Sequence, residues 1–528
     1  MELAPDVQKL AAEYKRWYEA TQPKKGIATI GVDEVAAKVA SFYEKIRGVV
    51  DWREEHLLRK TAIERILKRR MLLGTKEDFA EPFLQELIRG GHFPNERIPT
   101  TKIQEIQKIV EKYFYLLEHS PREGTEKVLA ELKMWLLGIA ACEIEETLAP
   151  PIRERALFEF MAQDMQKRVQ LPEEASMREK EKSLQISVAV QRALFKLDEA
   201  TITYHLLEEK YQDWENPGEQ TLQQLAPQLP QLKNELSAVL RHPLAERFYQ
   251  TIERYDSPYL ILGDIMSTHP AEFEQFSSDR AAVEAGTKES YKNRRGKLAG
   301  KMRRAAVYST LSVFLSKVLI AFAVEIPVDK YLTGDFNQTA LWLSIAVPPL
   351  LMLLLVLSIK TTTEDNFQRV VMEVMKITYG KRNGETLEIS LPRRKRPMLE
   401  AFINAIYLLS FLVSFGAISW VLWQLQFSVL SIIVFLFFVS LVAFAGTKIR
   451  QRGRELLLGK ESQGFLYTVF DLFSLPVIQT GRWLSRQVAK YNILVVIFNF
   501  LIEIPFQMFV EFLEQWRSFL QEKREEVH

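Results

Sequence analysis

Residues 305–446 alternate long apolar runs with short basic blocks, and this pattern limits the possible folds more than any other feature of the chain. Four runs have the length that a helix needs to cross a hydrocarbon core of roughly 30 Å. They cover 307–326, 339–359, 401–423 and 427–446. Consecutive apolar residues in such numbers are typical of membrane spans. The sequence therefore predicts a helical transmembrane domain with four spans over 305–446.

The connections between these runs differ sharply in charge. Connection 328–338 contains a single base, Lys330, and connection 424–426 contains none. Loop 360–399 and the residues after 446 are strongly basic, with Lys381, Arg382, Arg393, Arg394, Lys395, Arg396, Lys448, Arg450, Arg452 and Arg454. Lys and Arg beside a span are retained on the cytoplasmic side. The flanks predict a cytosolic N-terminus and a cytosolic loop 360–399, in a bacterial plasma membrane or an organellar inner membrane.

Residues 1–270 are rich in charge and in helix formers, with prolines between the periodic segments. They predict a cytosolic all-α domain, so the fold class is all-α with a large helical domain followed by the spans. A heptad spacing indicates one long helix near 173–214, whose seam includes Leu197, Tyr204, Leu207 and Tyr211. Two partners for this coiled-coil seam are open: another helix of the same domain, which we favour, or a second protein or second copy of the chain.

Residues 271–304 form a basic juxtamembrane linker that abuts the first span. Its base-rich end has only Tyr291 as an aromatic neighbour, which favours contact with anionic lipid headgroups over nucleic-acid binding. We expect the lipid membrane to be a partner and nucleic acid not to be one. The candidate headgroup contacts are Arg294, Arg295, Arg303, Arg304, Arg393, Arg394, Lys395 and Arg396.

Loop 360–399 contains two short segments, 376–379 and 386–391, that alternate apolar and polar residues around Asn383 and Gly384. Asn-Gly readily adopts the positive φ angles of a tight hairpin turn. The loop is therefore predicted to hold a small β-hairpin near the membrane surface.

Residues 447–528 combine a basic linker with amphipathic segments. Segment 464–484 is expected to be broken at Pro476 and Gly481, which suits an interfacial or re-entrant element. Segment 492–520 carries one narrow polar stripe that includes Glu503. It either lies at the membrane interface, which we favour, or crosses as a fifth span.

Two charges fall inside the first span. Lys317 lies near its middle and Glu325 near its far end, about 80° away around an ideal α-helix and too far along it for direct pairing. A charge at this depth costs at least ~2.5 kcal/mol, so each is expected to face a protein partner or water. Ion passage or a structural pair, for example with Glu503, would both explain them.

No catalytic, cofactor or metal signature is present in the sequence. The single cysteine, Cys142, has acidic neighbours and is expected to be a buried, unreactive thiol. Glu143, Glu145 and Glu146 are interpreted as a solvated acidic helix end, with no metal and no cofactor assigned. These observations favour a non-enzymatic, membrane-anchored scaffold or interaction protein. The alternative is a small ion channel or transporter that uses Lys317, Glu325 and Glu503.

The predicted orientation can be tested by accessibility labelling in a Cys142→Ala background, which removes the native thiol. Cysteines introduced at Gln338 and Gln424 should react with a membrane-impermeant maleimide from outside intact cells, because both flank non-basic connections. A cysteine at Ser390 should react only after permeabilisation. The reverse pattern would invert the topology.

Overall fold

The computed structural model describes most of residues 3–490 and single positions beyond them. Gaps in the description are 23–25, 27, 36, 42–56, 74–77, 122–124, 173–176, 335–336, 358–363, 381–384, 392–396, 454–455 and 459–464. The described residues are almost entirely helical, which confirms the predicted class. Segment 492–520, including Glu503, lies outside the described residues except for scattered positions.

Helices α1 to α13 form the N-terminal domain. They are α1 Pro5–Thr21, α2 Leu58–Leu73, α3 Ala80–Arg89, α4 Thr101–Glu118, α5 Glu126–Leu148, α6 Ile152–Arg168, α7 Glu179–Phe195, α8 Glu199–Lys210, α9 Glu219–Leu225, α10 Leu229–Leu240, α11 Ala245–Ile252, α12 Asp256–Thr268 and α13 Phe273–Ser278. The remaining helices are α14 Arg280–Ile320, α15 Gln338–Leu357, α16 Glu364–Thr378, α17 Pro397–Gln424, α18 Val429–Gly453 and α19 Phe465–Lys490. Strands β1 Val169–Gln170 and β2 Leu387–Glu388 pair in parallel.

Four helical stretches are long and apolar enough to cross a membrane, as the sequence predicted. They are Arg280–Tyr331, Gln338–Leu357, Glu400–Gln424 and Val429–Gln451. The first begins far upstream of the apolar run, because the basic segment 280–304 is part of the same helix. The segment predicted as a linker is therefore mostly a rigid extension of the first apolar helix.

The helix predicted near 173–214 is two helices, so a single heptad seam is wrong. Helix α7 ends at Phe195, where Lys196 takes a left-handed φ of 50°. Helix α8 then begins after Asp198, whose carboxylate accepts hydrogen bonds from the backbone N–H of Thr201 at 3.0 Å and from its hydroxyl at 2.8 Å. A capping Asp of this kind is a strong helix-start signal. The break divides the seam between two hydrophobic cores.

The first core joins α2 to α5 with α8 to α10, and Tyr204 and Leu207 are buried in it. Leu197 and Tyr211 pack against the same core. The second core joins α1, α6, α7, α11 and α12 with α16, and the α7 half of the seam, including Ile186 and Val190, is buried there. All four seam residues therefore contact helices of their own chain.

The connection between α15 and α17 docks on the N-terminal domain, and its predicted hairpin is wrong. Residues 376–378 end helix α16, whose Val370, Val374 and Ile377 follow the i, i+4, i+7 spacing of a buried helix face. Strand β2 pairs with β1 of the domain, with Val169 opposite Leu387. The Asn383-Gly384 turn lies outside the described residues. The apolar alternation in 386–391 thus serves a long-range pairing.

Helix α19 runs unbroken through Pro476 and packs against α17 and α18, so the expected break at Pro476 and Gly481 is wrong. Proline has no N–H and leaves the carbonyl four residues earlier, that of Leu472, without its helical donor. The Ser410 hydroxyl of α17 donates to this carbonyl at 2.7 Å. Position 481 also requires glycine, because a Cβ there would overlap the carbonyl oxygen of Ser440 in α18.

We predict that Ser410→Ala destabilises the chain by about 1 kcal/mol, because the Leu472 carbonyl then has no donor in an apolar environment. In a Pro476→Ala background the helix supplies its own N–H, so the same substitution should have almost no effect. The double-mutant cycle can be measured by unfolding in mixed detergent micelles. Equal losses in both backgrounds would show that Ser410 does not compensate for the proline.

Candidate functional site

Lys317 and Glu325 form an ion pair with each other inside the first apolar helix, and both side chains are 0% exposed. The expectation that they lie too far apart for direct pairing is wrong. That expectation assumed the regular winding of an ideal α-helix, and this helix departs from it. Residues Ala321–Glu325 are π-helical, as are Val328–Thr333.

The π-helical turn explains how the two charges come to lie on one face of the helix. Its i→i+5 hydrogen bonds place about one more residue in each turn than an α-helix has, so each residue rotates the chain less. Over the four steps from Ala321 to Glu325 this removes roughly 60° of rotation, which cancels most of the expected offset of about 80°. The carboxylate consequently comes onto the face of Lys317. π-turns of this kind are frequent at functional sites.

Helices α15 and α18 converge on the pair. The hydroxyl of Ser344 in α15 donates to Glu325 Oε2 at 3.4 Å. The ammonium of Lys317 lies 5.4 Å from the ring centre of Phe438 in α18, close enough for a cation–π interaction. Farther along the first helix, Asp329 accepts a hydrogen bond from the Ser431 hydroxyl at 3.0 Å. The ion pair therefore fixes three apolar helices relative to one another.

The other predicted intramembrane charge and half of the predicted lipid contacts fall outside the described residues. These are Glu503, Arg393, Arg394, Lys395 and Arg396. Arg295, Arg303 and Arg304 are exposed on α14. Arg294 differs, because its guanidinium binds both carboxylate oxygens of Asp264 and thereby joins α14 to α12.

The N-terminal domain contains a buried polar cluster that sequence reasoning missed. Lys112 donates to Glu143 Oε1 at 2.5 Å and to the Trp214 carbonyl at 2.7 Å. Tyr113 donates to the other oxygen of Glu143 at 2.7 Å. Burial raises the pKa of Glu143 against the opposing effect of Lys112. The interpretation of Glu143 as part of a solvated helix end is therefore wrong, since it is 1% exposed.

A second cluster lies nearby on α5, α6 and α8. Glu146, His205 and Glu208 place three potential metal-ligand atoms within 4.8 Å of one another. The guanidinium of Arg155 binds both carboxylates, so a cation already occupies the space between them. Burial alone would raise the pKa of Glu146, but the hydrogen bond and charge of His205, together with Arg155, hold it below its usual value. The arrangement is a structural ion-pair network.

Cys142 is buried beside this network, as predicted. Burial raises the pKa of its thiol, and the Thr201 hydroxyl lies 3.3 Å from its sulfur. The thiol is therefore neutral at physiological pH and unreactive.

An open cleft of about 1920 Å³ runs from the Arg155 network to helix α14. Its walls combine apolar side chains of the domain, including Phe158, Leu194 and Leu260, with basic side chains of α14.

Comparison with protein-family models, with curated proteins and with solved structures found no match. The ion pair and this cleft are therefore interpreted from their own geometry.

We predict that Lys317→Met destabilises the chain by about 3–5 kcal/mol, because it leaves the Glu325 carboxylate buried without a counter-charge. Lys317→Met/Glu325→Met should recover most of this loss. Lys330→Met, at an exposed lysine of the same helix, is the matched control and should change stability by less than about 0.5 kcal/mol. Unfolding in mixed micelles measures all three. A double variant no better than the single one would argue against pairing.

Proposed function

We propose that the chain is a multi-pass membrane protein with a non-enzymatic role, a scaffold that holds its N-terminal helical domain in a fixed orientation on the cytosolic face of the membrane. The four apolar helices support embedding in a bilayer. Large apolar side chains cover their outer surfaces, and Leu319, Phe402 and Trp420 are each more than 60% exposed. Water would strongly disfavour such a surface, whereas lipid tails would accommodate it.

The observation that carries the proposal is the double attachment of the domain to the apolar helices. The first attachment is α14, which packs on the domain through Tyr291 and continues without interruption into the apolar core. The second is the α15–α17 connection, where Tyr379 donates to the Ser277 carbonyl at 2.9 Å and β2 pairs with β1.

Asn366 links these two attachments. Its side chain donates to the Tyr291 hydroxyl at 3.2 Å and to the Leu456 carbonyl at 2.8 Å, and it accepts from the Leu458 N–H at 2.8 Å. One buried amide thus joins α14, α16 and the chain after α18. A domain tied at three points of the apolar helices is suited to a fixed orientation rather than to free movement.

The buried ion pair supports a scaffold over the alternative of an ion channel or transporter. Lys317 and Glu325 neutralise each other and face Phe438 and Ser344. A conducting path needs charges or dipoles that meet water and the moving ion. The side chains of this pair meet protein atoms, which suits a structural contact between helices.

The experiment measures how far the domain moves relative to the apolar helices. Spin labels on Gln231 of α10 and Gln424 of α17, in the Cys142→Ala background and in lipid nanodiscs, should give a single narrow distance distribution. Asn366→Ala should broaden it, because the shared amide contact is lost. Gln368→Ala, at an exposed position of α16, is the matched control and should leave the distribution unchanged.

A second measurement separates the two functional classes. The purified chain in liposomes should show no ion flux above that of empty liposomes. Two or more distance populations, together with a flux that Lys317→Ala abolishes, would overturn the scaffold proposal in favour of transport.

A further inference from the structure

Helix α14 presents one stripe of basic residues to the cleft. Arg294, Lys297, Lys301 and Arg304 recur at i, i+3, i+7 and i+10, which places them within a sector about 80° wide. All four line the cleft. Lys292 and Arg303 belong to the same basic block but lie on roughly the opposite side of the helix, away from it.

The cations of this stripe differ in whether they form ion pairs with the protein. Arg294, at the end farthest from the apolar run, is neutralised by Asp264. Lys297 and Arg304 are exposed and form no ion pair with any residue that the structure describes. At the opposite end of the cleft, the carboxylates of Glu146 and Glu208 are held in ion pairs by Arg155. Positive charge that can attract a ligand is thus concentrated beside the first apolar helix.

The cleft also offers an apolar surface next to these cations. Leu298 and Met302 of α14 alternate with the basic stripe, and Phe158 and Leu260 face them from the domain. Its volume exceeds the about 300–1,000 Å³ that is usual for small-molecule sites. A ligand that matches the cleft therefore combines an anionic group with a large apolar body.

We propose that the cleft binds a phospholipid with an anionic headgroup, whose phosphate contacts Lys297 and Arg304, while its apolar part covers Leu298 and Met302 and its acyl chains continue toward the first apolar run. Arg304 directly precedes the first apolar run, so the stripe lies at headgroup depth if the chain is embedded as proposed. The inference rests on that embedding and adds a defined lipid site to it. Such a lipid would join the domain to the membrane at a further place.

The test is lipid titration of the full chain in a non-ionic detergent, with bound lipids counted by native mass spectrometry. Phosphatidylglycerol should bind about tenfold tighter than phosphatidylcholine, and Lys297→Gln/Arg304→Gln should weaken its binding about tenfold. Lys292→Gln/Arg303→Gln removes the same charge from the other side of the helix and should weaken it less than about twofold. Lys297→Arg/Arg304→Lys keeps both charges and should bind as the parent chain does.

Three results would overturn the lipid site. Equal losses in the two glutamine double variants would assign the effect to the basic block as a whole. Equal binding of phosphatidylcholine would remove the charge recognition. Full displacement by glycerol 3-phosphate at the same concentration would show that the acyl chains contribute nothing. None of these results alters the accessibility of Gln338 and Gln424, which tests the membrane embedding separately.

Discussion

Polar groups among the apolar helices must find partners within the protein, because an apolar environment offers none. The structure meets this requirement at three costly positions. Lys317 is paired with Glu325, Asp329 with Ser431, and the carbonyl that Pro476 leaves unpaired with Ser410. Each of the last two contacts joins different helices. The arrangement of the apolar helices therefore follows from the satisfaction of a few polar groups as much as from the packing of leucine and phenylalanine.

Helix α14 transmits this arrangement to the rest of the chain. A helix of 41 residues spans about 60 Å and resists bending along its hydrogen-bonded length. Its first part is fixed to the domain by the Arg294–Asp264 pair, and its last part is fixed to α15 and α18 by the contacts around Lys317. Since the α15–α17 connection also docks on the domain, the orientation of the domain depends on both pairs of apolar helices.

Composition and periodicity predicted the coarse architecture. The four apolar helices, the helical domain and the burial of Cys142 depend on local residue content, which one sequence reveals. The break after Phe195 was also predictable in principle, because Asp198 followed by Thr201 is a capping signal within the heptad pattern. The continuous apolar pattern nevertheless predicted one helix, because both halves of the seam are buried. They are buried in different cores.

Other features could not be read from local patterns. Strand β2 pairs with residues more than 200 positions away, and its alternation is equally compatible with a local hairpin. The π-helical turn at Ala321–Glu325 has no composition of its own, and it lies between the two charges of the Lys317–Glu325 pair. The spacing of charges on an ideal α-helix therefore excludes some ion pairs that a real helix can form. A charge within an apolar helix can find its partner on its own helix when the helix changes its winding.

The same helix carries two kinds of charge. The buried, paired charge has a structural role, and the exposed charges can bind a ligand. Lys317 lies within the apolar run and is fully enclosed with its counter-charge, so it stabilises packing and offers nothing to a ligand. Lys297 and Arg304 lie just before that run, are exposed, and line the cleft together with apolar side chains. An exposed cation beside apolar surface retains its capacity to attract an anionic amphiphile. The boundary between the two sets coincides with the start of the apolar run, where a bilayer would change from headgroups to acyl chains.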